Sequence, residues 1–120
     1  MAHPPFDRRL YPRFRIVQPV SSRFGDEEVL LVEVSESGML IQSDVPVPKG
    51  VHLFVFDNET LSEPLRASAS VVHSMVITER GRVSYLIGLA FVPSLDLNQR
   101  RVLADVVKKN ALLEPGSAGQ

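Results

Sequence analysis

Leu65-Arg66-Ala67-Ser68-Ala69-Ser70-Val71-Val72-His73-Ser74-Met75-Val76-Ile77, then Thr78-Glu79-Arg80-Gly81-Arg82, then Val83-Ser84-Tyr85-Leu86-Ile87-Gly88-Leu89-Ala90-Phe91-Val92 is the stretch that decides the fold. Two runs rich in β-branched and aromatic residues flank a short polar segment holding one glycine. That pattern reads as a β-hairpin. Upstream, Val51 to Phe56 alternates as another strand, separated from the hairpin by the polar, acidic loop Asp57 to Pro64. Pro46, Pro48 and Gly50 break the chain before it, and Gly38 closes a polar run and opens a third strand at Met39-Leu40-Ile41.

Farther upstream, Glu28 to Val34 is a second strand, with Val29, Leu31 and Glu33 expected on one face and Leu30, Val32 and Val34 on the other. Ser21 to Asp26, which includes Gly25, is expected to turn. Arg13 to Val20 carries Phe14, Ile16, Gln18 and Val20 on one parity, the period of two of a half-buried strand. Downstream of the hairpin the period changes. Leu97, Arg101, Val102, Leu103, Val106 and Val107 recur at helical spacing, with Ser94 or Asp96 as the cap and Lys108 and Lys109 at the carboxyl end. Six strands and one terminal helix in a mainly β chain are consistent with a closed or nearly closed barrel, which would remove exposed strand edges.

The chain has 120 residues, enough for one domain with a working core. Residues 8–113 are expected to form that domain, after a flexible leader at 1–7 and before a flexible tail at 114–120. No apolar run approaches the ~18 residues of a membrane-spanning helix. The start of the chain lacks a secretory pattern, so the expected location is cytoplasmic. Without cysteine, disulfides, thiolate-bound zinc and a thiol nucleophile are excluded.

Net charge is −1, which argues against broad polyanion binding, but the charge is uneven. Arg8-Arg9-Leu10-Tyr11-Pro12-Arg13-Phe14-Arg15 crowds its guanidinium groups into one short segment. Each is a planar fork of donors, charged at every physiological pH, that matches a phosphate or a guanine edge. Pro12 pushes Tyr11 out of the helical region, so Arg9 and Arg13 do not share a helix face. A concentrated arm fits a small anion better than a long polymer, whose phosphates need a broad basic face. A single-stranded nucleic-acid barrel is disfavoured as well, since aromatic residues make up only 7% of the chain.

Two segments together resemble the PilZ domains, bacterial receptor domains for cyclic di-GMP. The first is Arg9-Leu10-Tyr11-Pro12-Arg13, preceded by Arg8, which matches an Arg-x-x-x-Arg arm. The second is Glu33-Val34-Ser35-Glu36-Ser37-Gly38, which matches an Asp/Asn-x-Ser-x-x-Gly segment at Ser35 and Gly38 and departs from it at Glu33. Tyr85 to Val92 and the helix after it also look like the closing elements of such a domain. The resemblance implies a six-stranded antiparallel β-barrel with a C-terminal α-helix and a flexible N-terminal arm. It implies cyclic di-GMP as ligand, no cofactor, no catalysis, and signalling through a downstream protein or a homo-oligomer.

On that resemblance Arg8, Arg9 and Arg13 are expected to bind phosphates and guanine edges or faces. Arg15 lies deeper in the first strand, where an ordinary exposed role serves equally. Ser35 either offers its hydroxyl to the ligand or holds its own turn, and Gly38 provides a special φ or a close approach. Glu33 keeps the acceptor charge of the family's Asp or Asn but adds a methylene, so it either receives guanine N–H groups or weakens affinity. His73 stands where the family can place a ring against a guanine. His3 and His52 lie in separate contexts, and neither a metal site nor an acid/base pair is expected. Phosphate-loop, dinucleotide-turn and nucleophile-elbow motifs are all missing, so enzyme activity has no support. The competing expectation is a degenerate member of the same fold that binds protein partners without nucleotide.

Overall fold

Arg80 and Gly81 both adopt positive φ, 53° and 76°, the backbone a two-residue hairpin needs to match strand twist. The turn is therefore shorter than the five residues its composition suggests. In the computed structural model, which describes residues 13–57 and 61–113 with backbone alone at 17–21 and 111–113, this hairpin joins strands β5 (Leu65–Glu79) and β6 (Arg82–Phe91). Before it come β1 (Phe14–Phe24), β2 (Glu27–Val34), β3 (Gly38–Ser43) and β4 (Val51–Phe56), and after it α1 (Leu97–Asn110) and a three-residue β7 (Ala111–Leu113). The leader at 1–7 and the tail at 114–120 lie outside the described residues.

The strands form one antiparallel sheet in the order β2-β3-β6-β5-β4-β1-β7, and a further pairing of β1 with β2 closes it into a six-stranded barrel. β1 is the seam. One edge follows β2, while the other meets β7 at Phe14–Ile16 and β4 only at Arg23 and Phe24. Gly25 N–H adds a 2.8 Å bond to the Leu53 carbonyl at that narrow join. On the inner face Ala67 of β5 lies opposite Phe54 of β4 and Leu65 opposite Phe56, and all four are buried. This lets side chains interdigitate at interior density.

α1 packs against β1, β5 and β7 and adds Val102, Leu103 and Val106 to the same core. Its start is a reciprocal cap. Gln99 N–H donates to Asp96 Oδ1 at 2.7 Å, and Asp96 N–H donates to Gln99 Oε1 at 2.8 Å, satisfying amides that a helix start leaves unpaired. Of the two capping residues expected, Asp96 makes the bond. The Gln99 side-chain amide also donates to the Arg66 carbonyl at 2.8 Å, tying the helix to β5.

Three expectations need correction. Instead of turning at Ser21, β1 runs to Phe24, and only Gly25 and Asp26 turn, because Ser22 and Phe24 still point inward and are buried. β7 was not expected. The third change concerns β2, where Leu31 pairs with Ile41 but Glu33 pairs with Leu40, leaving Val32 as an extra residue against β3. On the other edge the same Val32 stands alone against Ile16–Pro19 of β1. Proline lacks the N–H a regular ladder needs and is tolerated at such a bulge. The extra residue flips the alternation, so Val34 joins Val29 and Leu31 in the core while Glu33 turns to the outside.

Ser22 is a polar flaw in this interior, since its buried hydroxyl finds no hydrogen-bond partner among the described residues. Unsatisfied buried hydroxyls cost about 1–3 kcal/mol. Ser22→Ala is expected to raise stability by about 1 kcal/mol, read as a higher urea midpoint at unchanged slope. A lower midpoint would show that the hydroxyl has a partner after all.

Candidate functional site

Residues directly opposite one another on antiparallel strands share a face. The register therefore lays Arg15, Glu33, Leu40, Gly88 and His73 in one row across β1, β2, β3, β6 and β5. The neighbouring row, Phe14, Val34, Met39, Leu89 and Val71, faces the interior or packs against it. The row through Glu33 is therefore on the barrel's outer wall. Arg13, one residue before β1, reaches it as well, with Nη1 3.1 Å from Glu33 Oε1. The Glu33 side chain is only 10% exposed and that of Arg13 37%, so the pair is better shielded from water than a typical surface ion pair.

The turn after β2 is clipped by Ser35. Its Oγ accepts from the N–H groups of Ser37 (3.2 Å) and Gly38 (3.3 Å), and its own N–H donates to the Gly38 carbonyl at 2.8 Å. Such local serine bonds fold a turn without help from elsewhere. Phe91 N–H donates to the Ser37 carbonyl at 3.0 Å and pins the turn to β6. Ser35 thus holds its own turn through its hydroxyl.

Gly38 is buried at the start of β3. A Cβ there would lie 2.0 Å from the Leu89 carbonyl oxygen, and its φ is outside the positive range. A special φ therefore does not account for the glycine, whereas the backbone of β6 leaves no room for a side chain. Gly88 plays a comparable part on the outer wall, where a Cβ would fall 2.3 Å from Cε1 of His73. The glycine thus makes the shallow seat on which the exposed imidazole lies. An isolated glycine inside a strand signals such a close approach, and the β5–β6 register identifies His73 as the group that approaches.

Arg13, Glu33, Ser35 and Gly38 are thus brought together at the end of β2, with His73 on the same wall. Arg8 and Arg9 lie outside the described residues. Beside the turn, Arg100 of α1 stands 3.9 Å from Glu36. A mainly apolar groove of about 300 Å³ opens there, between the helix and Phe14, Ser35 and Glu36. A larger groove of about 840 Å³ lies near the hairpin tip, around Asp44, Arg80 and Arg82, and includes none of the motif residues. Among the described residues no three His, Asp or Glu side chains gather as a metal site, and no helix is long and apolar enough to cross a membrane.

The family model of the PilZ domain matches residues 7–109. The chain belongs to the PilZ domain family. Members of this family are generally receptor domains for cyclic di-GMP and bind rather than catalyse. A search of curated proteins and one of solved structures returned no match. The matched segment contains both PilZ motifs, including the arm residues that precede β1.

The steric role of Gly38 is directly testable. Gly38→Ala is expected to lose at least about 1–3 kcal/mol of stability, the range for overpacking a close-packed site, measured by urea unfolding. A variant as stable as the parent would remove the backbone contact as the reason for glycine.

Proposed function

We propose that this chain is a cytoplasmic receptor for cyclic di-GMP, which it holds between the arginine arm and the turn that follows β2. The observation that carries the reading is the 3.1 Å contact of Arg13 with Glu33. It joins the last arginine of the first motif to the first position of the second, across a gap of twenty residues. In this reading Arg8, Arg9 and Arg13 bind the two phosphates and the guanine edges by charge and forked hydrogen bonds. Glu33 accepts guanine N–H groups. Ser35 and Gly38 shape the floor of the cradle, and the His73 ring offers a flat face to a base.

Phosphate binding relieves repulsion among the guanidinium groups and orders the arm against the barrel wall. Ordering costs conformational entropy, so the affinity measured is what remains after that cost. The output is a changed surface, read by a downstream protein or by another copy of the chain.

One observation favours a second reading, a PilZ adaptor that binds proteins without nucleotide. Glu33 is longer than the family's Asp or Asn, and its carboxylate already engages Arg13. Calorimetry with cyclic di-GMP separates the two readings. Saturable heat supports the receptor, and none at high micromolar ligand leaves the adaptor.

Two substitutions refine the receptor reading. Arg9→Ala combined with Arg13→Ala removes two charge-assisted contacts worth about 1.5–3 kcal/mol each, so affinity should fall at least about 100-fold while the circular dichroism of the barrel persists. Normal binding by that variant would refute the residue assignment. Glu33→Asp is expected to tighten binding by about threefold, the gain from one fewer rotatable bond to immobilise. Unchanged affinity would eliminate side-chain length as the difference that matters.

A further inference from the structure

β4 accompanies β5 only as far as the pair Val51 and Ser70, and Gly50 then accepts a last bond from Val71 N–H at 3.1 Å. From Val72 to Glu79 that edge of β5 has no strand beside it among the described residues. Natural edges are usually protected by proline, lysine or a covering element. Here the segment contains neither proline nor lysine, and Val72, Met75 and Val76 are 63%, 52% and 60% exposed.

The register shows which backbone groups are open. Glu79 and Arg82 close a two-residue turn, so they exchange both of their hydrogen bonds, and the alternation of an antiparallel pair directs the N–H and C=O of Thr78, Val76 and Ser74 away from β6. A shift between Val71 and His73 restarts the alternation. That is why Val71 turns toward Gly50, in agreement with its observed bond.

We propose that this edge pairs antiparallel with the same edge of a second copy of the chain, about a two-fold axis through Val76. The argument for a like copy is self-complementarity. With Val76 opposite the partner's Val76, Ser74 and Thr78 each face the other in the partner and every open N–H and C=O of the three residues is bonded. On the outer face Met75 meets the partner's Ile77. At the ends His73 meets the partner's Glu79, an N–H donor against a carboxylate. Apolar, polar and ionisable pairs all match, as favourable cross-strand pairs require, and the two-fold repeats each match twice.

A slip that sets Met75 opposite the partner's Met75 puts His73 against an isoleucine and leaves Glu79 unmatched, so the register is specified. In this register each hairpin tip ends level with the other chain's Gly50, just before β4 begins beside β5. The inference does not depend on nucleotide binding.

Sedimentation of the full chain without nucleotide should give the mass of two chains, dissociating on dilution. Val76→Lys places like charges opposite each other at the axis. Its mass should fall to one chain with unchanged circular dichroism, since residue 76 is largely exposed within a single chain. Glu79→Lys should weaken the dimer at least about tenfold, and adding His73→Glu to it should restore the dimer by reversing the pair. A one-chain mass at every soluble concentration would overturn the proposal, whether the edge is bare or taken by a strand of another protein. So would a dimer that both the Val76 and Glu79 variants leave intact.

Discussion

A single supernumerary residue, Val32, is the constraint on which the outer wall depends. Strict alternation from Val29 would carry Glu33 into the interior beside Leu31 and push Val34 into water. A carboxylate without compensation in such a place costs several kcal/mol. The bulge avoids this by standing out of register with both neighbours at once, against β3 on one edge and against Ile16–Pro19 on the other. It leaves the core continuous through Val34 and sets an acid on the outer wall, shielded beneath Arg13, at the point where the chain turns.

That placement explains how segments twenty residues apart meet. β1 runs antiparallel to β2 with Arg15 opposite Glu33, so the residue just ahead of β1 arrives where β2 ends. The Arg13 contact is a product of sheet register, and the Ser35 turn holds the adjoining backbone through its own hydroxyl and its link to Phe91. The Arg13–Glu33 pair thus rests on the barrel wall. The last residue of the first motif and the first of the second, Arg13 and Glu33, meet where this β-ladder ends, which is why they can be twenty residues apart in sequence.

Much of the barrel was legible because alternation and turn chemistry are local. The β5–β6 hairpin follows from its apolar runs and Arg80-Gly81, and α1 from its spacing and the Asp96 cap. The bulge was illegible, since Leu30-Leu31-Val32 offers three consecutive apolar residues and period two does not say which is extra. β7 was missed because three residues carry no period, and the seam beside β1 that it fills exists only after the sheet has closed. Gly38 was recognised as special, but the expected positive φ is absent and its close neighbour, the Leu89 carbonyl, lies fifty-one positions away and is brought near only by the β3–β6 pairing. Candidate residues could thus be named from the sequence, while the physical job of each depended on long-range register.

The Gln99 side chain fixes how the helix sits over the barrel. Its oxygen must receive the Asp96 amide, and its nitrogen must give to the Arg66 carbonyl. An acid at this position would set two lone-pair-bearing oxygens against each other at β5, and a base would have nothing to offer the helix start. Only a carboxamide satisfies both demands. This clasp keeps Arg100, one residue along, within reach of Glu36 beside the Ser35 turn. The helix is therefore clasped to the barrel, beside the core contacts of Val102, Leu103 and Val106, by a residue that belongs to neither motif.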